Sequence, residues 1–195
     1  MLQEQHEENT NEPVLLFQKN ELTTFKLSKN EYSLTFPLRN SNIYLDKLIN
    51  MRFLEIIYAL NKDDIIQDFN LSIEDTNEDK ATLYVLFKHF FADFGFQQKY
   101  VFLHMNIEKC ETHITYKGKT ITNYEKNNIP QNAELLHLND ICVECNIEDP
   151  HNVIIHSKIK IKTKFEMEIP SMIEKMASII LDKIFMKLKQ LIENY

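Results

Sequence analysis

VIIHSKIKIKTKFEMEIPSMIEKMASIILDKIFMKLKQLIENY, residues 153–195, decides the fold. Its first part alternates. Val153, Ile155, Ser157, Ile159, Ile161, Thr163, Phe165, Met167 and Ile169 fall on one side, and Lys158, Lys160, Lys162, Lys164, Glu166 and Glu168 on the other, the period of a strand with one face buried. At ~3.3 Å per residue such a strand spans roughly 55 Å, too long to stay straight in a domain of this size. It is therefore expected to bend or break. Pro170-Ser171 then opens a helix over 171–193, with Ile173, Met176, Ala177, Ile180, Leu181, Ile184, Leu188, Leu191 and Ile192 forming a wide apolar stripe.

The chain just before this stretch reads ICVECNIEDPHNVIIH, residues 141–156, and holds Cys142, Cys145, His151 and His156, the raw material of a zinc site. Glu148-Asp149-Pro150-His151-Asn152 is a turn composition. Pairing strands 134–147 and 153–169 across it sets Ile147 against Val153, Cys145 against Ile155, His156 against Glu144 and Cys142 against Lys158. Alternation then sends Cys145 to the core face and Cys142 with His156 to the other. Tetrahedral zinc needs its four ligand atoms within about 2–2.3 Å of the ion, which a continuous strand does not deliver. The expectation is a core cysteine, an exposed cysteine and no metal.

Earlier segments supply the rest of the architecture. Residues 1–15 are polar and acidic and read as a disordered tail, leaving 16–195 as a single domain. LTTFKLSKNEYSLTF (22–36) reads as two strands turning at Ser28–Glu31 and closed by Pro37. Residues 41–60 carry a helical stripe from Leu45 to Leu60, with Asn40 or Ser41 as the cap. A second helix is expected from Thr76 and Asp79 through Leu83, Leu86, Phe87, Phe90, Phe91 and Phe94, ending at Gly95. Residues 99–109 alternate but carry apolar bulk on both faces, so that strand is covered on both sides or lines a cavity. Residues 111–126 read as a hairpin turning at Lys117-Gly118-Lys119. The fold class is α+β: a curved antiparallel sheet packed on a long C-terminal helix, with two further helices before the main strands.

Composition narrows function. The 195 residues are 44% apolar and 26% charged, with a net charge of −7, which argues against a nucleic-acid partner. Two glycines exclude any glycine-rich phosphate loop. Three cysteines fit a reducing compartment, and the absence of a signal peptide or an apolar run of membrane length leads to the expectation of a soluble, cytoplasmic protein with no transmembrane segment. Abundant Asn, Lys and Ile point to an A/T-rich genome, parasitic, bacterial or viral. No catalytic arrangement is legible, so no enzyme activity and no cofactor is expected. The Lys158–Lys164 ladder reads as a solvated edge. Tyr116 and Tyr124 are candidates for a contact surface.

The order of elements, together with residues 153–195, resembles the START-like helix-grip superfamily, in which a curved antiparallel sheet wraps around the C-terminal helix. That resemblance implies a space between sheet and helix that typically holds a lipid, sterol or other apolar ligand. The expected function is a non-catalytic binding module for such a ligand. Its lining would be Met172, Met176, Ala177, Ile180 and Ile184 from the helix with Phe165 and Met167 from the strand, and His104 is a candidate polar group in the pocket. The alternative is a viral or parasite structural or interaction protein with a solid core, acting on a protein partner through its surface.

Overall fold

The computed structural model describes residues 12–62, 64–90, 92–122 and 129–195. Tyr124 and residues 1–11 of the expected tail lie outside them. The turn at 150–151 settles the C-terminal half. Asp149 Oδ1 accepts the backbone N–H of His151 at 2.7 Å, and this joins strands His137–Asp149 and Asn152–Lys162 (β9 and β10 in chain order). Their register is the expected one: Val153 opposite Ile147, Ile155 opposite Cys145, His156 opposite Glu144 and Lys158 opposite Cys142.

The remaining strands are β1 Val14–Lys19, β2 Leu22–Ser28, β3 Glu31–Arg39, β4 Ile66–Glu74, β5 Asn77–Phe87, β6 Lys99–Lys109, β7 His113–Thr120 and β8 Glu134–Leu135. The sheet runs β1-β2-β3-β10-β9-β7-β6-β5-β4, with β8 paired parallel to β6. Two short helices, α1 Leu45–Leu48 and α2 Phe53–Leu60, precede β4, and α3 Ser171–Glu193 closes the domain. The core lies between the concave face of the sheet and these helices: Leu34, Phe36, Leu83, Val101, Leu103, Val153, Ile184 and Leu188 belong to one buried cluster.

Several expectations need correcting. The single helix over 41–60 is two, because Asn50 Oδ1 accepts the Arg52 N–H at 2.9 Å and turns the chain between them. Asn40 does not cap a helix. Its side chain accepts the N–H groups of Asn42 and Ile43 in a turn. Residues 76–94 are not helical in the main. They form β5, and Asn77 Oδ1 accepts the Asp79 N–H in the turn from β4. Leu83 and Val85 face the core while Tyr84 and Leu86 join Phe102 in a second cluster on the convex face, packed with Leu135 and Ile129. A strand buried on both faces gives a continuous apolar run whose period does not distinguish it from a helix. The same arrangement bears on β6, which is covered on both sides at Tyr100 and Phe102.

Gly118 is no turn. It sits inside β7, where a Cβ would come within 2.9 Å of Met105 Sδ and 3.2 Å of Ile141 Cδ1. Tyr116 is buried, its hydroxyl donating to Asn50 O at 2.7 Å, and offers no contact surface. Pro37 does not close β3, which continues to Arg39 opposite Asn152. The Pro37 carbonyl points to Lys189 Nζ, off the β10 ladder, so the missing N–H on that side costs no ladder bond. The lysine ladder lies on β10, which is central and not an edge.

β10 stops at Lys162, and the chain breaks as its length required. Phe165 and Glu166 take left-handed backbone angles, φ 57° and 52°, a conformation costing about 1–2 kcal/mol per non-glycine residue. Asn30, buried in the β2–β3 turn, holds the break. Its Nδ2 donates to Met167 O at 2.8 Å and its Oδ1 accepts the Ile169 N–H at 2.9 Å. At the other end of β3, Asn40 Nδ2 donates to Ile192 O. Two buried asparagines flanking one strand thus fasten the segment leading into α3 and the end of α3 itself.

Candidate functional site

Helix α3 runs back along the sheet from the β10 break, beside α2 and against β1 and β3. Its most buried face in the first half is polar: Glu174, Ser178 and Asp182 are 5%, 2% and 6% exposed, one above another at i, i+4 and i+8. Glu174 Oε1 accepts the Tyr32 hydroxyl at 2.7 Å and lies 2.9 Å from Lys26 Nζ, which also pairs with Glu168. The pairing with Glu168 holds the Lys26 ammonium pKa above its ordinary value, and burial with the hydrogen bond to Glu174 pushes that of the Tyr32 phenol up. Among the described residues, Asp182 Oδ1 and Thr24 Oγ1 are buried without a hydrogen-bond partner. This row joins the helix to β2 and β3, and residue patterning gave no sign of it, since Glu, Ser and Asp are ordinarily assigned outward.

The apolar stripe sits roughly a third of a turn away, with Ile180, Ile184, Leu188 and Ile192 in or against the main core cluster. Burial along it is uneven. In the second half of α3, Ile184, Leu188 and Ile192 are 8%, 0% and 3% exposed, and Phe185 stacks on Phe36 at 4.7 Å between ring centroids. In the first half, Met176, Ala177 and Ile180 remain half-buried. Ile141, Val143, Ile159 and Ile161 on the concave faces of β9 and β10 are half-buried too, although the same faces nearer the 150–151 turn carry buried Cys145, Val153 and Ile155. Apolar side chains along the helix and the sheet are thus buried toward the 150–151 turn and half-buried toward the other end.

Along α3, Met176, Ala177 and Ile180 are half-buried, Ile184 is buried, and Met172 in the first turn is 48% exposed. Phe165 and Met167 do not join the expected lining; they left the sheet at the break and are 93% and 64% exposed. His104 is exposed on the convex face of β6, opposite the face that carries Leu103 and Met105. A separate open recess of about 660 Å³ lies at the far end of α3, among Arg39, Asn40, Asp149, His151 and Glu193. His151 Nδ1 there is 2.8 Å from Ile43 O, so its ring is already engaged.

Of the cysteines, Cys145 is buried, Cys142 half-buried and Cys110 exposed. Burial pushes the Cys145 thiol up to about 12, and the thiolate is the reactive form. An aromatic disulfide reagent should therefore label Cys110 rapidly and Cys145 only on unfolding. Labelling of Cys145 at the rate of Cys110 in the folded protein would overturn its placement.

The sequence matches no family model and no curated protein. Solved structures do match. Human STARD10 aligns at 8% identity over 91% of this chain and 71% of its own, with a TM-score of 0.66. The human StAR-related lipid transfer protein 5 aligns at 8% identity over 95% and 88%, with a TM-score of 0.65. A STAR-related lipid transfer protein fragment from Xanthomonas axonopodis aligns at 12% identity over 93% and 97%, with a TM-score of 0.62. At these identities the likeness is one of fold: the chain has the START-like helix-grip fold. Among the described residues no helix is long and apolar enough to cross a membrane.

Proposed function

We propose that this protein is a non-catalytic binding module that holds a lipid or another apolar molecule between the concave sheet and the first half of α3. The observation that carries the reading is the uneven burial along this proposed groove. Apolar side chains of the first half of α3, Met176, Ala177 and Ile180, and of the concave faces of β9 and β10, Ile141, Val143, Ile159 and Ile161, stay half-buried, whereas Ile184, Leu188, Cys145, Val153 and Ile155 are buried. Apolar surface on both elements is what a binding site for an apolar molecule offers, and methionine adapts to variable contents. The solved structures it resembles include proteins named for lipid transfer, which supports the same reading.

Native mass spectrometry of freshly purified protein should show a co-purified apolar ligand. Ala177→Phe should fold and melt close to the wild type yet lose uptake of a fluorescent lipid analogue, because the ring would occupy the groove. The opposite result is equally definite. If the wild type takes up no lipid and Ala177→Phe costs about 1–3 kcal/mol through overpacking, the core is solid and the protein acts through its surface.

A further inference from the structure

The break after β10 has features that a simple connection does not need. Phe165 is 93% exposed and Met167 64% exposed, while two successive non-glycine residues hold left-handed angles, a conformation that persists only where its surroundings impose it. Asn30 and Thr163 impose it here, both bonding to Met167 O, with Ile169 N–H returned to Asn30 Oδ1. The apolar side chains are thus presented outward on a fastened loop.

The surrounding charge is opposite to that of the whole chain. Segments 26–31 and 158–175 carry seven lysines against four glutamates in a protein of net charge −7. Three of those glutamates pair with two of the lysines, Glu31 with Lys158 at 2.8 Å and both Glu168 and Glu174 with Lys26. Lys29, Lys160 and Lys162 are exposed beside the tip, and Ile161 N–H is bonded to Asn30 O at 2.9 Å, which fixes the end of β10 to the β2–β3 turn.

We propose that the 163–172 tip is a contact site for an anionic membrane surface. An aromatic ring and thioethers projecting singly from a basic rim match a bilayer interface, where apolar side chains enter the headgroup–acyl boundary and lysines meet anionic lipid. A protein partner would be met by a groove or a flat apolar patch, which isolated projecting side chains do not make. The proposal goes beyond the binding-module reading and stands whether or not the groove holds a ligand.

The chain contains no tryptophan, so Phe165→Trp supplies a single reporter. Mixed with phosphatidylcholine vesicles carrying phosphatidylserine, its emission should shift to the blue and be quenched by brominated lipid. Pure phosphatidylcholine should give a much smaller effect. Tyr195→Trp, at the 83%-exposed opposite end of α3, should report no change. In co-sedimentation, Phe165→Ser should weaken binding of the intact chain at least about tenfold, and Lys162→Ala about fivefold, with melting unchanged because both side chains are exposed. The proposal is overturned if the wild type does not sediment with anionic vesicles, if Phe165→Ser binds them as the wild type does, or if the Tyr195→Trp reporter responds as strongly as Phe165→Trp. A tip serving a protein partner would give the first of these results.

Discussion

A chain ending at Pro170 should lose its cooperative fold and either precipitate or collapse to a molten state. Removing α3 strips Ile184, Leu188 and Ile192 from the core, each worth about 1.5–3 kcal/mol when fully buried, and uncovers Leu34, Phe36 and Leu38 on β3. It also leaves Lys26 and Tyr32 without Glu174. Against a typical total stability of about 5–15 kcal/mol, a loss of that size removes most of the margin. Thermal unfolding followed by near-UV circular dichroism is the check. A sharp transition within a few degrees of the full-length protein would refute the claim that α3 is part of the core.

Asn30→Val should be the most damaging single substitution in the sheet's turns, at about 3 kcal/mol or more. It removes the side-chain bonds to Met167 O, which keeps the Thr163 hydroxyl, and to the part-buried Ile169 N–H, whose loss of a partner costs about 1–3 kcal/mol. It also places a β-branched residue at φ 57°, which adds about 1–2 kcal/mol. Asn30→Gly isolates the first part, since glycine adopts that angle freely. Urea denaturation should rank the variants wild type, Gly, Val from most to least stable. A valine variant as stable as the glycine one would show that the left-handed angle is not retained.

What patterning could and could not reveal follows from these elements. The β9–β10 pairing was legible down to single partners because a turn composition fixed the loop and each strand has one polar face. β5 was misread because Tyr84 and Leu86 face a second cluster built partly from residues 129–135, so its polar face is missing. Ile66–Glu74, although Phe69, Leu71 and Ile73 alternate, was not anticipated beside that error. The apolar stripe of α3 was legible from its helical period, and Ile184, Leu188 and Ile192 on it are buried. The polar row Glu174, Ser178 and Asp182 was not legible, because its partners Lys26 and Tyr32 lie more than 140 positions away in the chain. Phe165 and Met167 were assigned to the groove on alternation, which stops having meaning where the backbone turns left-handed.

The placement of β3 has a consequence for the order of events during synthesis. One of its edges pairs with β2, made immediately before it, and the other with β10, separated from it by about 110 residues of chain. At about 5–20 residues per second, that edge and the apolar side chains Leu34, Phe36 and Leu38 wait on the order of ten seconds for their partners. Until β10 has been translated, the β1–β3 meander has no sheet to join, and until α3 follows, its concave face has no cover. Native contacts of such long sequence separation form slowly, so the nascent chain carries an open, apolar strand edge through most of its synthesis. The interval in which this protein is most exposed to mispairing is therefore set by the ribosome and not by the stability of the finished domain.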